Sequence, residues 1–296
     1  MEKSEKTNPS NRNYNTISPS AISLLLKKGL TNIPYARQVA EMLVYPENYN
    51  PDFSIKDFRF WARVVHFESR YWSIDQLLTD IPVKNILEIS SGFSFRGLET
   101  IKQSGFHYID TDLPDVIAQK KIFIKSLQNE PCNSGSKLEI LPLNALDEIQ
   151  FYETVNRFPK GEIVIVNEGL LMYLDNSEKE KLCSIIYKIL QERGGYWITA
   201  DIYIKGQIEK LDLIRDEKEK QFFEEHQIEE KRFDSFEVAE AFFKKVGFTI
   251  DKEAQPDRSK LSSLKYLIER ATEEELAKLK TRDKIQATWR LKVTSK

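Results

Sequence analysis

A chain of 296 residues with 41% hydrophobic and 11% aromatic residues is long and apolar enough for one large or two small cored domains, which excludes a disordered chain. Its 44 Lys and Arg against 46 Asp and Glu leave a net charge of −2, which gives no broad basic footprint for nucleic acid or for an anionic membrane surface. No apolar run approaches the ~18–20 residues of a membrane helix, and Cys132 and Cys183 read as two free thiols of a reducing cytosol; a cytoplasmic location is expected.

In chain order, residues 1–16 are polar without an apolar signal core and read as a disordered leader. Residues 17–80 predict a helical cap. ISPSAISLLLKKGLTNIPYARQVAEMLVY gives two helical pieces broken near Gly29–Pro34, the first capped by Ser18 ahead of Pro19. A further helix over 54–79 carries Phe58, Trp61, Val65 and Phe67 as an apolar stripe.

From residue 81 to 205 strands alternate with helices. VKNILEI, FHYIDTDLP, LEILPLNAL, EIVIVNEGLLMYL (strand at Glu162–Val166) and YWITADIYI read as strands. FRGLETIKQSG, ending at Gly105, DVIAQKKIFIKSLQNE and NSEKEKLCSIIYKILQERGG, capped by Asn176 or Ser177, read as helices. This alternation predicts an α/β doubly wound parallel sheet. The charged stretch 206–232 predicts a solvated helix or a lid. Residues 233–296 return to the sheet through SFEVAEAFFKKVGF, FTIDKEA and KIQATWRLKV, the last alternating like an antiparallel strand.

Ligands of open α/β sheets gather at the carboxyl ends of the strands. The first such end is Glu88-Ile89-Ser90-Ser91-Gly92-Phe93-Ser94-Phe95-Arg96. A dinucleotide loop carries three glycines with an acid about 20 residues on. Here only Gly92 remains, which disfavours a pyrophosphate, and with it a nicotinamide oxidoreductase, more than it disfavours a cofactor without phosphates. The acid is present: Asp110 and Asp112 follow the second strand, where either could accept from ribose hydroxyls or cap the next helix.

Five segments in the same order resemble the leucine carboxyl methyltransferase family, and within it the bacterial TcmP-like O-methyltransferases. ISPSAISLLLKKGLTNIPYA resembles ISPTA…DIPYA, and ESRYWSIDQLL an Arg-centred R-T-x-x-I-D segment. ILEISSGFSFR resembles the cofactor loop at Gly92 and Arg96. YIDTDLPDVIAQKK resembles V-D-x-P-x-V-I-x-x-K, and VNEGLLMYL resembles E-G-x-x-x-Y-L. The resemblance implies a class I methyltransferase (Rossmann-like) fold of seven strands with the last antiparallel. It implies S-adenosylmethionine as cofactor, S-adenosylhomocysteine as product, and an oxygen acceptor on a small molecule.

By the same resemblance Arg70 pairs with the methionine carboxylate, with Lys28 nearby. Gly92 contacts the methionine part and Asp112, beside Asp110, the ribose, with Glu88 a further cofactor-binding candidate at the start of the loop. Glu168 faces the ammonium or bound water. Asn144, where the family carries Asp, and Ala145 meet the adenine. The chain departs from the family at Ser90, in place of the first Gly, and Ser94, in place of a common Asp; Ser90 is tolerated while its φ stays negative. These departures leave a non-catalytic binding protein as the alternative, and protein C-terminal carboxyl methylation as a variant of the main reading. Tyr173 and Tyr203 are the acceptor-pocket candidates. Among the histidines, His66, His107 and His226, the last is the one expected near the acceptor, should a base be needed. No spacing suggests a metal site.

Overall fold

The computed structural model describes residues 18–43, 53–127, 135–206, 217–281 and 283–294. The expected leader, Cys132 and residues 207–216 of the expected lid lie outside them. Three helices come first: α1 (Ser18–Lys28), α2 (Ala36–Met42) and α3 (Phe58–Thr79). Ser18, expected as a cap, is already the first helical residue of α1. α3 starts where Asp57 accepts from the Phe60 amide.

The alternating region then runs β1 (Asn85–Ile89), α4 (Arg96–Thr100), β2 (His107–Asp112), α5 (Pro114–Leu127), β3 (Lys137–Pro142), α6 (Glu148–Val155), β4 (Ile163–Asn167), α7 (Asn176–Arg193) and β5 (Gly195–Tyr203). α8 (Glu217–Glu225), α9 (Phe236–Lys245), β6 (Phe248–Glu253), α10 (Leu264–Arg270), α11 (Glu273–Thr281) and β7 (Gln286–Val293) complete the chain.

The strands form one seven-stranded sheet in the order β3-β2-β1-β4-β5-β7-β6. β1 to β5 are parallel, and β7 inserts antiparallel between β5 and β6. Strands covered on both faces read as continuous apolar runs, as Ile163–Val166 does with every residue buried. One core lies between the sheet and α6, α7 and α9, around Leu182, Ile186, Trp197 and Phe243. The other lies under α3 to α5 and holds Tyr71, Ile74, Phe93, Phe95 and Tyr108.

Four details differ from the expectation. α4 ends at Thr100, and turns carry the chain on to Gly105. α7 is capped by Asp175, not by Asn176 or Ser177: Asp175 accepts from the Glu178 amide while the Glu178 side chain takes the Asp175 amide, a reciprocal capping box. α6 is a short additional helix. α10 and α11 fill the β6–β7 connection, anchored by the buried Glu68 of α3. Its two carboxylate oxygens accept from the amides of Ser262 and Ser263 at 2.9 Å each and from both hydroxyls at 2.5 Å.

At the outer edge, Glu139 of β3 is held by His107 Nε2 at 2.7 Å, Lys137 Nζ at 2.8 Å and Arg157 Nε at 2.8 Å. Burial alone would raise its carboxyl, but these donors outweigh it and bring it down from 4.5 to about 2. A depressed folded-state value means stability that is complete above pH 4.5 and lost as pH falls toward about 2. In urea melts, wild type is therefore expected to outlast Glu139→Gln above pH 4.5, with the difference closing toward pH 2. A constant difference would assign the effect to packing alone.

Candidate active site

The carboxyl ends of β1, β2, β4 and β5 meet the inner faces of α1 and α3. Six charged side chains interlock there: Lys28, Arg70 and Arg96 with Asp75, Glu88 and Glu168. Lys28 Nζ lies 2.6 Å from Glu168 Oε1, and Arg70 Nε lies 3.1 Å from the same oxygen. Arg96 reaches Glu88 Oε1 at 2.6 Å, Asp75 Oδ1 at 2.6 Å and Glu168 Oε2 at 3.5 Å. Its guanidinium also lies 4.2 Å from the Tyr71 ring centroid, with Lys28 at 5.4 Å from the same ring. Within these six, three cations face three carboxylates; the Asp75 side chain is partly exposed, and the buried Asp201 carboxylate adds a further negative charge near Arg70. Arg96 opens a helix, where a positive charge opposes the helix dipole; the acids beneath it supply the compensation.

The fields in the cluster are strong. Burial would raise the Glu168 carboxyl, but Lys28, Arg70 and Arg96 more than reverse that and hold it well below the ordinary carboxylate range. Burial lowers the Lys28 ammonium despite Glu168. Burial likewise disfavours the Arg70 cation, yet Tyr203 and Glu168 raise it on balance.

Glu168 is positioned by Asp201, a residue the sequence reading missed. The buried Asp201 carboxylate on β5 accepts from the amides of Gly169 (2.5 Å), Leu170 (2.6 Å) and Leu171 (3.0 Å), and from Asn167 Nδ2 (2.6 Å). It clamps the turn after β4. Gly169, at φ +83°, supplies the left-handed backbone this turn requires, while a Cβ there would meet the Arg70 guanidinium only in ordinary contact at 3.5 Å. An acid inside the apolar run of β5 was the available signal for Asp201, since a buried carboxylate needs several donors.

Of the residues expected at a cofactor, Lys28, Arg70 and Glu168 come together. Gly92 and Asp112 form a second pair: the Gly92 amide donates to Asp112 Oδ2 at 2.6 Å and the Leu113 amide to Oδ1 at 2.7 Å. Burial pushes the Asp112 carboxyl up, with those two amides opposing. Asn144 is exposed, its Oδ1 taking the Leu146 amide at 3.0 Å, and Ala145 is buried beside it.

Glu88 joins the cluster through Arg96, and Asp110 is held beside it by Lys120. They face each other in register inside the sheet. Glu88 is spent on Arg96 and on Tyr108, whose hydroxyl donates at 2.7 Å. Asp110 is spent on Lys120, at 2.6 Å, and on the Ser91 hydroxyl. Both carboxylates are closed off by their own counter-charges. Phe93 and Phe95 turn into the core against Phe123 and Tyr35.

Ser90 departs from its expected backbone: its φ is +49°, left-handed, beside Gly92 at +52°. An L-residue there costs about 1–2 kcal/mol. Ser90→Gly is therefore expected to raise the denaturation midpoint by the equivalent of about 1 kcal/mol. An unchanged or lowered midpoint would mean that the serine side chain offsets the strain.

Tyr203 ends β5 beside the cluster. Its hydroxyl accepts from Arg70 Nη1 at 3.0 Å and lies 2.8 Å from His66 Nε2. Tyr173 sits in the 3-10 turn Leu171–Tyr173; its hydroxyl donates to Ser20 at 3.1 Å and its ring meets Phe222 of α8 edge-on. The base of the expected lid is pinned to β5, with the Phe233 amide donating to the Tyr203 carbonyl at 3.0 Å. His107 belongs to Glu139, and His226 lies against its own helix, Nδ1 2.9 Å from the Phe222 carbonyl. The histidine beside an acceptor-pocket candidate is His66.

No protein-family model matches the chain. No curated protein matches it. Solved structures do, at low identity. A DUF574 family protein from Streptomyces avermitilis aligns over 92% of this chain and 97% of its own with a TM-score of 0.55 and 9% identity. The methyltransferase domain of bacterial CtHen1 aligns over 77% of this chain and 100% of its own, with a TM-score of 0.50 and 11% identity. The chain has the class I methyltransferase fold. In that fold the charge cluster and the Gly92–Asp112 pair occupy the carboxyl edge of the sheet, where such folds bind ligands. Among the described residues no helix is long and apolar enough to cross a membrane, and no group of His, Cys, Asp or Glu is placed to hold a metal ion.

Proposed function

We propose that the protein is an S-adenosylmethionine-dependent O-methyltransferase acting on a small molecule, of the leucine carboxyl methyltransferase kind that its sequence resembles. The observation that carries this reading is the cluster of paired charges around Glu168. A group seated against it must offer both signs of charge or leave a buried charge uncompensated. An amino acid zwitterion satisfies this requirement. Its carboxylate suits the Arg70 and Lys28 donors, and its ammonium suits Glu168, which is held ionised.

Asp112 and the Gly92 amide form a cradle at the end of β2 suited to ribose hydroxyls. Asn144 and Ala145 stand after β3, where adenine would lie. Glu88 and Asp110 are assigned to the support of the site, because their oxygens already have buried partners.

S-adenosylmethionine supplies an electrophilic methyl group when bound. The chain's own task is to exclude water, hold the methionine end rigidly and present an oxygen nucleophile in line. Arg70, Glu168 and Asp201 form the rigid part, since each is locked by buried partners. Tyr173, Tyr203 and Phe222 offer aromatic walls on the acceptor side. A carboxylate acceptor is already nucleophilic at neutral pH, whereas a hydroxyl acceptor needs a base.

The reading is tested by incubating the protein with methyl-labelled S-adenosylmethionine and a panel of small carboxylic acids, phenols and alcohols, following both labelled product and S-adenosylhomocysteine. Labelled ether or ester in step with S-adenosylhomocysteine is expected. A protein that binds S-adenosylmethionine yet transfers to no oxygen, only to nitrogen or sulfur acceptors added alongside, would overturn the assignment to oxygen.

A further inference from the structure

Two elements converge on the Tyr203 side chain. From α3, Arg70 Nη1 lies 3.0 Å and His66 Nε2 2.8 Å from its hydroxyl. From the segment after α8, the Arg232 guanidinium lies 5.7 Å from the ring centroid. Arg63 of α3 lies over the Phe67 ring that Arg70 also covers, and Asp201 lies two residues back on β5. A guanidinium only donates. The phenol oxygen therefore accepts from Arg70 and keeps its single proton and one further lone pair; in the tautomer with His66 Nε2 unprotonated, that proton is shared with the imidazole. That tautomer gives a path for a proton from Tyr203 to His66, with Arg70 holding the phenol oxygen in place. Burial raises the Tyr203 hydroxyl above its ordinary value despite Arg70, so it rests protonated at neutral pH.

We infer that Tyr203 and His66 form a proton relay and that the methyl acceptor is an acidic hydroxyl, phenolic or enolic, rather than a carboxylate. The inference rests on the O-methyltransferase reading above. As the acceptor oxygen attacks, its proton passes to the Tyr203 oxygen and the Tyr203 proton passes to His66 Nε2. The new bond is carbon–oxygen. The carbon–sulfur bond of S-adenosylmethionine breaks with its electron pair remaining on sulfur. The products are a methyl ether, S-adenosylhomocysteine and an imidazolium that returns its proton to water. Arg70 donates to the oxygen on which negative charge passes through the relay. A carboxylate acceptor would leave the whole assembly without work to do.

The probes are 4-nitrophenol, whose phenolate is coloured, and 4-nitrobenzoate. With the protein loaded with S-adenosylhomocysteine, so that no transfer occurs, bound 4-nitrophenol is expected to show its phenolate band at a pH where it is protonated in solution. His66→Gln and Tyr203→Phe are expected to remove that band. With S-adenosylmethionine, wild type is expected to methylate 4-nitrophenol, with a rate that rises as an imidazole loses its proton. His66→Gln is expected to slow this by about 100-fold or more, while its calorimetric affinity for S-adenosylmethionine stays within about threefold of wild type. Absence of S-adenosylmethionine binding by wild type would overturn the methyltransferase reading itself. With binding intact, the relay is overturned by any of three results: no phenolate band, His66→Gln transfer as fast as wild type, or transfer confined to 4-nitrobenzoate.

Discussion

Glu168→Gln is expected to lower stability by about 3–5 kcal/mol, the usual cost of removing one partner from a buried ion pair, and to abolish S-adenosylmethionine binding. The amide that replaces the carboxylate leaves Lys28 and Arg70, at 2.6 and 3.1 Å in the native protein, without their counter-charge in a site closed to water. Urea midpoints measure the first effect and calorimetry the second. The two are separated by Lys28→Met combined with Glu168→Gln, which removes one charge of each sign. The pair interacts directly, so the double variant is expected to recover part of the lost stability, yet still to bind no cofactor. A Glu168→Gln protein that melts like wild type would mean that the cluster is solvated and that its charges do not fix the site.

Asp112→Ala is expected to do the reverse: to spare the fold and remove the ligand. Asp112 is buried at the end of β2 and accepts from the Gly92 and Leu113 amides; its loss leaves these two donors to water or unpaired, at a cost of about 1–3 kcal/mol. Two hydrogen bonds from ribose hydroxyls to a charged acceptor are worth roughly 3 kcal/mol or more, an affinity loss of about 100-fold or more. Asp110→Ala is the control. It leaves Lys120 buried with its carboxylate gone, so early melting is expected there. Calorimetry and melting of both variants give the ranking. A stable Asp110→Ala that has lost the cofactor, beside an Asp112→Ala that binds normally, would exchange the two roles.

That exchange marks the limit of what strand periodicity conveys. Asp110 and Asp112 are two residues apart, so alternation puts both on the same face of β2. Depth along the strand distinguishes them: Asp110 pairs with Glu88 inside the sheet, and Asp112 is the last residue of the strand. The deciding partner of Asp110, Lys120, comes from the facing side of α5, which no local pattern announces. Glu88 behaves alike, since Arg96 lies across the loop from it.

The sheet was legible because apolar runs such as Ile163–Val166 are long, pure and bounded by turn residues. α6, α10 and α11 were not, being helices of eight, seven and nine residues with too few turns to establish a period. α10 is held in place by tertiary contacts, the Glu68 clamp before it and Tyr266 stacked on Trp61 at 4.6 Å. The start of α7 was within reach: Asp175-x-x-Glu178 has capping-box spacing, which outweighs the cap preference of Asn176 or Ser177 alone. His66 appeared as an ordinary helix residue because its partner Tyr203 lies 137 positions away.

In the proposed complex the charge cluster and the Asp112 cradle together hold S-adenosylmethionine. Calorimetric titration of the wild-type protein with S-adenosylmethionine, S-adenosylhomocysteine and 5′-methylthioadenosine, which lacks the amino acid end, tests both halves at once. Micromolar binding of the first two and at least a tenfold weaker third, about 1.4 kcal/mol, is the result expected. Equal binding of all three would contradict the role given to Lys28, Arg70 and Glu168, and binding of none would contradict the methyltransferase reading as a whole.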